Sequence, residues 1–482
     1  MKNFTDYLLK NNRDNKKKIF INGQIKYSEL KKKILYINKN FFSKFKNKLI
    51  GVSLDTSENF LLTYLSIIKS GNIAVLIEKG LSEKRYLYIC KKFKIDFFIT
   101  EKKLENNFFK DLNFSKNQYS DYLTKKKVNF YKLSLSKNIH KNIKDVALVL
   151  FTSGSTGEKK GVMLTHQNLI SNTKSILKTL PIKKNDIVNL ILPTTYSYGL
   201  SILNTHLKMG CNIYLHNSPF IGSVIKEIKK YKCTSFYGVP SSFELLINKT
   251  NFFQNKFNTL RYIAQAGGNL SKIFKEKLID KFKNKVFIMY GATEASPRLS
   301  CVPPKMLNKK IDSIGLPLPG VKFKLMRRKK NEFELAVKGK NIMKGYLNDI
   351  SLTKKKIRNN FFLTGDLAFK DSENFYYITK RKDKIIKRFG FKINLNYIEN
   401  HIRNIKLVKN AKIFFNSSNE LILIIQTSKR PKSIVMEQVD LIFSKKFTTY
   451  EYPDKIIIIN KNFNKFNKKI SLVDIYNKFQ NE

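Results

Sequence analysis

Between residues 146 and 290, short apolar runs take turns with stretches whose apolar positions recur at helical spacing. Ala147 to Phe151 is uninterruptedly apolar and predicts a buried strand that gives way to a loop over Thr152 to Gly161. Ile187 to Leu192 predicts a strand, Leu200 to Met209 a helix and Asn212 to His216 another strand. Ile225 to Tyr231 then predicts a helix, Ser235 to Val239 an extended segment, and Ser241 the cap of the helix that follows. Phe287 to Tyr290 reads as the end of a strand, with Thr293 and Glu294 on the loop beyond it. Such alternation predicts an α/β fold, because each strand-helix unit adds to a largely parallel sheet and covers it. Toward the C-terminus the apolar runs Leu421 to Gln426 and Lys455 to Ile459 predict strands of a small α+β domain. The expected organisation is a large domain over residues 1–382, with mixed, largely parallel sheets covered by helices, and a small one over 383–482.

Composition narrows the function classes without naming one. A chain of 482 residues with 42% hydrophobic and 13% aromatic content can bury more than one core. Lys and Arg number 92 against 36 Asp and Glu, a net charge of +56, yet the lysines are scattered through every segment with no basic tail. Lys, Asn, Ile, Phe and Tyr are abundant and Trp is absent, which fits a drift toward AT-rich codons and a solvated lysine surface. Such a surface attracts polyanions in a salt-dependent way and suits ATP, coenzyme A, an acidic carrier protein or anionic lipid. With no DNA- or RNA-binding module in the sequence, specific nucleic-acid binding is not expected. Cys90, Cys211, Cys233 and Cys301 form no CxxC pair and are expected to be reduced and structural. No apolar run approaches the roughly twenty residues that cross a bilayer, and the first residues lack a signal-peptide core. The expected setting is the cytoplasm, with peripheral membrane contact if the substrate is a lipid.

The loop after Phe151 carries the chemistry. Thr152-Ser153-Gly154-Ser155-Thr156-Gly157-Glu158-Lys159-Lys160-Gly161 offers hydroxyls, unhindered backbone N–H groups and two ammonium groups in one short stretch. Glycines let the backbone approach a polyphosphate, whose oxygens the N–H groups and lysines meet. The spacing differs from the Walker type, because Gly161 and Val162 follow Lys160. This loop closely resembles the signature of the adenylate-forming (AMP-binding) superfamily, which includes acyl-CoA synthetases, aryl-CoA ligases, luciferases and carrier-protein adenylation domains; Lys159 stands where proline is usual.

Further stretches resemble that family in order. Met289-Tyr290-Gly291-Ala292-Thr293-Glu294 matches its Tyr-Gly-x-Thr-Glu element. A carboxylate beside a triphosphate needs a cation between them, so Glu294 is the candidate Mg²⁺ ligand, with Thr293 beside it as a catalytic residue. Thr364-Gly365-Asp366 matches the element whose Asp binds the ribose hydroxyls, and Arg381 falls where an arginine contacts the ribose. Gln265-Ala266-Gly267-Gly268-Asn269 resembles the double-glycine strand end, which implies Gly267 at the acyl pocket and Gly268 at the nucleotide. Tyr196 fills a pocket position where many relatives have histidine. Ser313 to Gly320 and Val337 to Tyr346 resemble two more family stretches. His166, at a predicted helix start after Thr165, matches a usual family histidine and is read as structural. By the same resemblance Asp383 is the hinge, Gly390 lines the thiol tunnel, and the small domain is mobile. Aligning the tail on Ile470 makes Lys469 the catalytic lysine and puts Lys468 where glycine is expected; the alternative gives the role to Lys468.

The resemblance implies an ATP- and Mg²⁺-dependent carboxylic acid:thiol ligase with a role in fatty acid metabolism. It would form acyl-AMP, release pyrophosphate and pass the acyl group to CoA or to phosphopantetheine on a separate acyl carrier protein. Two other readings stay open: a stand-alone amino or hydroxy acid:carrier-protein ligase, and a catalytically degenerate ATP-binding relative. Lys159, Lys380 and Lys468 depart from the family pattern and favour the last; the intact Thr-Ser-Gly-Ser-Thr-Gly, Thr-Glu and Gly-Asp elements oppose it.

Overall fold

The structure is a computed structural model and describes residues 3–10, 25–111, 128–133, 142–153, 159–216, 222–329, 331–381, 385–389, 391–416, 420–427 and 432–459. The chain divides into two compact units, with the main break between Lys380 and Arg381.

The first unit is built on two large mixed sheets. In the eight-stranded sheet, Val146–Ser153, Ile73–Leu76, Leu49–Ser53 and Phe97–Thr100 run parallel, and antiparallel strands flank them. Leu49–Ser53, Ile73–Leu76 and Phe97–Thr100 are buried at every position. Strands covered on both faces have no polar side to present, which is why they read as continuous apolar text. The seven-stranded sheet is likewise parallel in its body but has antiparallel strands at one edge only. Asn212–Leu215, Ile187–Leu190, Ser235–Gly238, Tyr262–Gln265 and Val286–Gly291 run parallel, and Arg298–Val302 then Leu316–Pro317 close it antiparallel. One continuous apolar core joins these two sheets through helices such as Glu58–Lys69, in which every residue before Lys69 is buried. At about 1.5–3 kcal/mol for each large side chain withdrawn from water, this core is the main source of stability.

A third sheet of the first unit is antiparallel: Val321–Lys329, Glu332–Gly339, Phe361–Lys370 and Ile357–Arg358 in that order, with Tyr376–Arg381 also on Phe361–Lys370. The alternation of strand and helix did not predict it, because its strands follow one another with only one short helix, Ile350–Lys356, between them. Thr364, Gly365 and Asp366 lie within a strand here.

The predicted elements over 187–290 are all present, with ends displaced by at most three residues. Two boundaries change the chemistry. Strands Val146–Ser153 and Lys159–Thr165 extend into the predicted phosphate loop, so Thr152, Ser153 and Lys160 are strand residues. Ser241 is not a cap: Val239 is the N-cap and Pro240 the first residue of helix Pro240–Lys249. Proline suits that place because its missing N–H would have had no helical partner and its φ is preset.

The second unit has its own core. Val408–Phe415 pairs antiparallel with Leu421–Thr427, and Lys455–Ile459 joins the latter in parallel after the helix Lys432–Lys446. A parallel pair requires such a crossover. Ile398 and Ile402 of helix Leu395–Arg403 share a buried cluster with Leu423, Val435, Val439 and Phe443. Among the described residues no helix is long and apolar enough to cross a membrane.

Candidate active site at the strand ends

The carboxyl ends of parallel strands in open α/β sheets leave a crevice where ligands bind. Tyr290 and Gly291 end the strand Val286–Gly291, Ala292 is extended, and Thr293–Ala295 turns in a single 3₁₀ turn. Gly267 and Gly268 follow the neighbouring strand Tyr262–Gln265, and Gly268 is held in place as its carbonyl accepts a 3.0 Å bond from Gln265 Nε2. Four of the residues singled out from the sequence therefore lie at adjacent strand ends.

Asp366 arrives from the antiparallel sheet. The pairing of Glu332–Gly339 with Phe361–Lys370 shifts register between Glu334 and Ala336, opposite Thr364 to Asp366. Gly365 takes φ +83° there, a left-handed conformation that glycine adopts without a Cβ penalty and that bulges commonly require. Buried Glu334 accepts from Gly365 N at 2.9 Å, and Thr364 Oγ1 donates to Leu335 O and accepts from Asp366 N. The distortion aims Asp366 at the strand end, where Tyr290 Oη donates to its Oδ2 at 2.5 Å across 76 positions of sequence.

Glu294 is buried, and Tyr346 Oη donates to its Oε1 at 3.0 Å. Burial, and then the neighbouring carboxylate, push the Tyr346 phenol well above its usual pKa, so it remains a donor at neutral pH. Lys160 Nζ stands 5.9 Å from the centre of the Tyr346 ring. Backbone bonds hold this group together: Met343 N to Glu294 O at 2.8 Å, Lys344 N to Met163 O at 2.9 Å and Leu347 N to Gly161 O at 2.7 Å. Gly345–Tyr346 pairs antiparallel with Val162–Met163. Asn341 Nδ2 donates to Ala295 O at 3.0 Å, and Ser296 Oγ donates to Asn341 O at 2.8 Å. The segment 341–347 thus stitches the Glu294 turn to the strand leaving the phosphate loop. Among the described residues there is no group of three or more His, Cys, Asp or Glu able to enclose a metal. A single carboxylate suits Mg²⁺ that keeps waters and shares substrate phosphates, and would not suit an all-protein cage.

Thr293 Oγ1 contacts Ser197 Oγ at 3.1 Å, joining the turn to the start of helix Ser197–Met209. The Tyr196 phenol donates to Glu78 Oε1 at 2.7 Å. Tyr198, two positions on, is the aromatic ring beside Gly267. Thr152 is buried in its strand and Ser153 ends that strand. Arg381 ends the strand Tyr376–Arg381. Gly154, Ser155, Thr156, Gly157, Asp383, Gly390, Lys468 and Lys469 lie outside the described residues.

His166 is tied to structure, since its Nδ1 accepts from Phe4 N at 3.1 Å and Thr165 closes a capping box with Asn168. All four cysteines are buried and free. Sequence reasoning did not single out Tyr346, Glu334 and Ser197 as parts of this group. Tyr346 closes one stretch that resembles the family and Ser197 lies in another, Leu192 to Gly199, which were their only signals. Glu334 gave none.

Comparison with known proteins identifies the family and the fold. Residues 11–347 match the family described as AMP-binding enzyme. A long-chain-fatty-acid–CoA ligase of Escherichia coli O6:H1 is 31% identical over 324 residues, covering 64% of this chain and 57% of that ligase. A probable 4-coumarate–CoA ligase 2 of Dictyostelium discoideum is 33% identical over 264 residues, covering 52% of this chain and 47% of the relative. The chain thus spans about half the length of these relatives. Among solved structures, a double mutant of o-succinylbenzoate CoA synthetase (MenE) from Bacillus subtilis shares the fold with a TM-score of 0.77 at 20% identity, over 95% of this chain and 94% of that one. The amide bond synthetase McbA from Marinactinospora thermotolerans does so with a TM-score of 0.77 at 12% identity, over 95% and 96%.

Proposed function

The chain belongs to the AMP-binding enzyme family, and on that premise we propose that it is an ATP-dependent carboxylic acid:thiol ligase of the acyl-CoA synthetase type. The observation that carries the reading is the meeting of Tyr290 and Asp366 at the strand end beside Gly267–Gly268. An aromatic ring and a carboxylate placed there can receive a nucleoside: the ring packs on a base, and the carboxylate accepts from vicinal ribose hydroxyls.

The acid's carboxylate oxygen attacks the α-phosphorus of ATP, the bond from that phosphorus to the bridging oxygen breaks, and pyrophosphate leaves. Two anions must approach each other, so positioning and cationic groups supply most of the catalysis. Lys160, with the backbone of residues 154–157, would hold the β- and γ-phosphates. Glu294 would hold Mg²⁺, which supplies charge neutralisation at the phosphates. Tyr346 keeps the Glu294 carboxylate oriented, and Thr293, fixed by Ser197, presents its hydroxyl beside it. Lys469 is proposed to bridge carboxylate and α-phosphate, and Arg381 to contact the ribose. We further propose the mobile small domain over 383–482, turning about Asp383 so that Gly390 faces the entering thiol of CoA or of a carrier protein's phosphopantetheine. Four buried thiols suit a reducing, cytoplasmic setting.

The test is pyrophosphate release from ATP and Mg²⁺ over a panel of carboxylic acids with no thiol present. Release that depends on one class of acid establishes adenylation. Silence across the panel with ATP still bound would discard the reading in favour of a degenerate relative.

A further inference from the structure

Arg298 heads the fully buried side chains ranked by size, at 2% exposure. It opens the strand Arg298–Val302, opposite Gly291 and just after the Thr293–Ala295 turn. Its backbone is clamped by buried Asn172, which donates to Arg298 O at 2.8 Å and accepts from Arg298 N at 3.3 Å. The guanidinium carbon lies 3.8 Å from the centre of the Tyr198 ring. One Nη1 reaches Met289 Sδ at 3.5 Å, and Nε has no acceptor. Arg261, Arg328, Arg388 and Arg403 each hold a carboxylate (Asp186, Glu334, Asp454 and Glu399), whereas among the described residues none pairs with Arg298. A guanidinium keeps its charge, and burying it is strongly unfavourable unless its donors meet acceptors. A ring face offsets only part of that cost, and a thioether is a weak acceptor. What the site lacks is a negatively charged oxygen.

The surroundings say whose oxygen it is. Tyr198 is fixed by a 3.0 Å bond from its phenol to Ala264 O. Its ring would stand 3.6 Å from a Cβ added at Gly267, whose φ of +90° and closeness to Val239 leave no room for one. Ser197, the residue before Tyr198, meets Thr293 Oγ1 at 3.1 Å, and Ser296 and Pro297 lead from the Thr293–Ala295 turn to Arg298, so the ring that carries the guanidinium lies at the Gly267 strand end and directly follows the residue that meets the start of that turn.

We propose that Arg298 recognises a second carboxylate on the acid, so that the substrate class is dicarboxylic acids. One carboxylate is adenylated and the other accepts from Nε and an Nη of Arg298, the two-pronged geometry that a guanidinium offers. This assignment rests on the acid-adenylating reading of the site. A monocarboxylic acid of the same length would leave the buried charge unmet, and sites built to meet a polar group reject analogues lacking it by orders of magnitude.

The experiment is pyrophosphate release with ATP and Mg²⁺ over length-matched pairs: butyrate and succinate, hexanoate and adipate, octanoate and suberate, benzoate and phthalate. The expected result is a kcat/KM for one or more diacids exceeding that of the matched monoacid on the order of 100-fold. Arg298→Met should erase that preference. Monoacids used as well as or better than diacids in every pair would overturn the proposal, as would a diacid preference that survives Arg298→Met. The wild-type pairs decide the matter even if the variant does not fold. Calorimetric titration with the same pairs in the presence of AMP separates the two levels. Diacid binding without pyrophosphate release would keep Arg298's role and remove adenylation; no preferential binding of any diacid would remove Arg298's role.

Discussion

The two sides of the strand-end crevice are finished differently. On the nucleotide side the ionisable groups already meet partners within the protein: Asp366 receives the Tyr290 phenol and Glu294 the Tyr346 phenol. On the acid side Arg298 is more deeply buried than either carboxylate and has an aromatic face and a sulfur for company. A satisfied network holds its geometry before the ligand comes, which is what positioning requires. A deficit instead selects the ligand, because only a molecule that supplies the missing charge recovers the cost of burial.

Glu294→Gln is the strongest way to break the nucleotide side. The amide still accepts from Tyr346 but loses the charge, so pyrophosphate release should fall roughly 10²–10³-fold, with the melting temperature nearly unchanged. A loss under tenfold, measured at saturating Mg²⁺ and ATP, would take the catalytic role from Glu294.

The helix Ser197–Met209, whose start meets Thr293, should show itself in the pH dependence of stability. His206 is fully buried, with its ring edge against Tyr237, and burial lowers its pKa from 6.5 to about 4. Below pH 6.5 the unfolded chain takes up a proton that the folded chain refuses. Stability present above that pH is therefore lost as pH falls toward 4, by about 3 kcal/mol in all. Urea unfolding at pH 7.5 and 4.5 should show His206→Gln losing less stability on acidification than wild type. Equal losses would mean that His206 is not held neutral.

Asp366→Asn tests whether the Tyr290 contact serves a ligand. A charge-assisted acceptor is worth about 1.5–3 kcal/mol, so AMP affinity measured by calorimetry should weaken about 10- to 100-fold. Unchanged affinity would reduce the pair to a structural link between sheets. The smallest effect belongs to Tyr346→Phe, which removes one donor to a buried carboxylate. Stability in urea should fall by about 1 kcal/mol, with a modest loss of activity. No change in either would show that Glu294 is oriented by its backbone alone.

Much of the fold was legible because burial on both faces leaves a mark in the text. The runs at 187–192, 212–216 and 235–239 contain the strands Ile187–Leu190, Asn212–Leu215 and Ser235–Gly238, while the antiparallel sheet carrying Asp366 does not follow from strand-helix alternation, since its strands adjoin one another and Val321–Lys329 is largely exposed. The phosphate-loop and Tyr-Gly-Ala-Thr-Glu elements could be found because their residues are contiguous. Tyr346's partner is 52 positions away, and Arg298's significance depends on Tyr198, 100 positions before it, and on the acid partner that neither supplies.

What the sequence determined by itself is therefore local: strand and helix order, the family, and the contiguous groups whose chemistry suits phosphate. Only tertiary structure decided that Thr152 and Lys160 sit on strands, that a bulge turns Asp366 toward Tyr290, and that Tyr198 rather than Tyr196 lies beside Gly267. The physical reason is that a side chain's burial and partners belong to the packed chain. Nothing in the letters Pro-Arg-Leu-Ser indicates that this arginine is shut away from water and short of an anion.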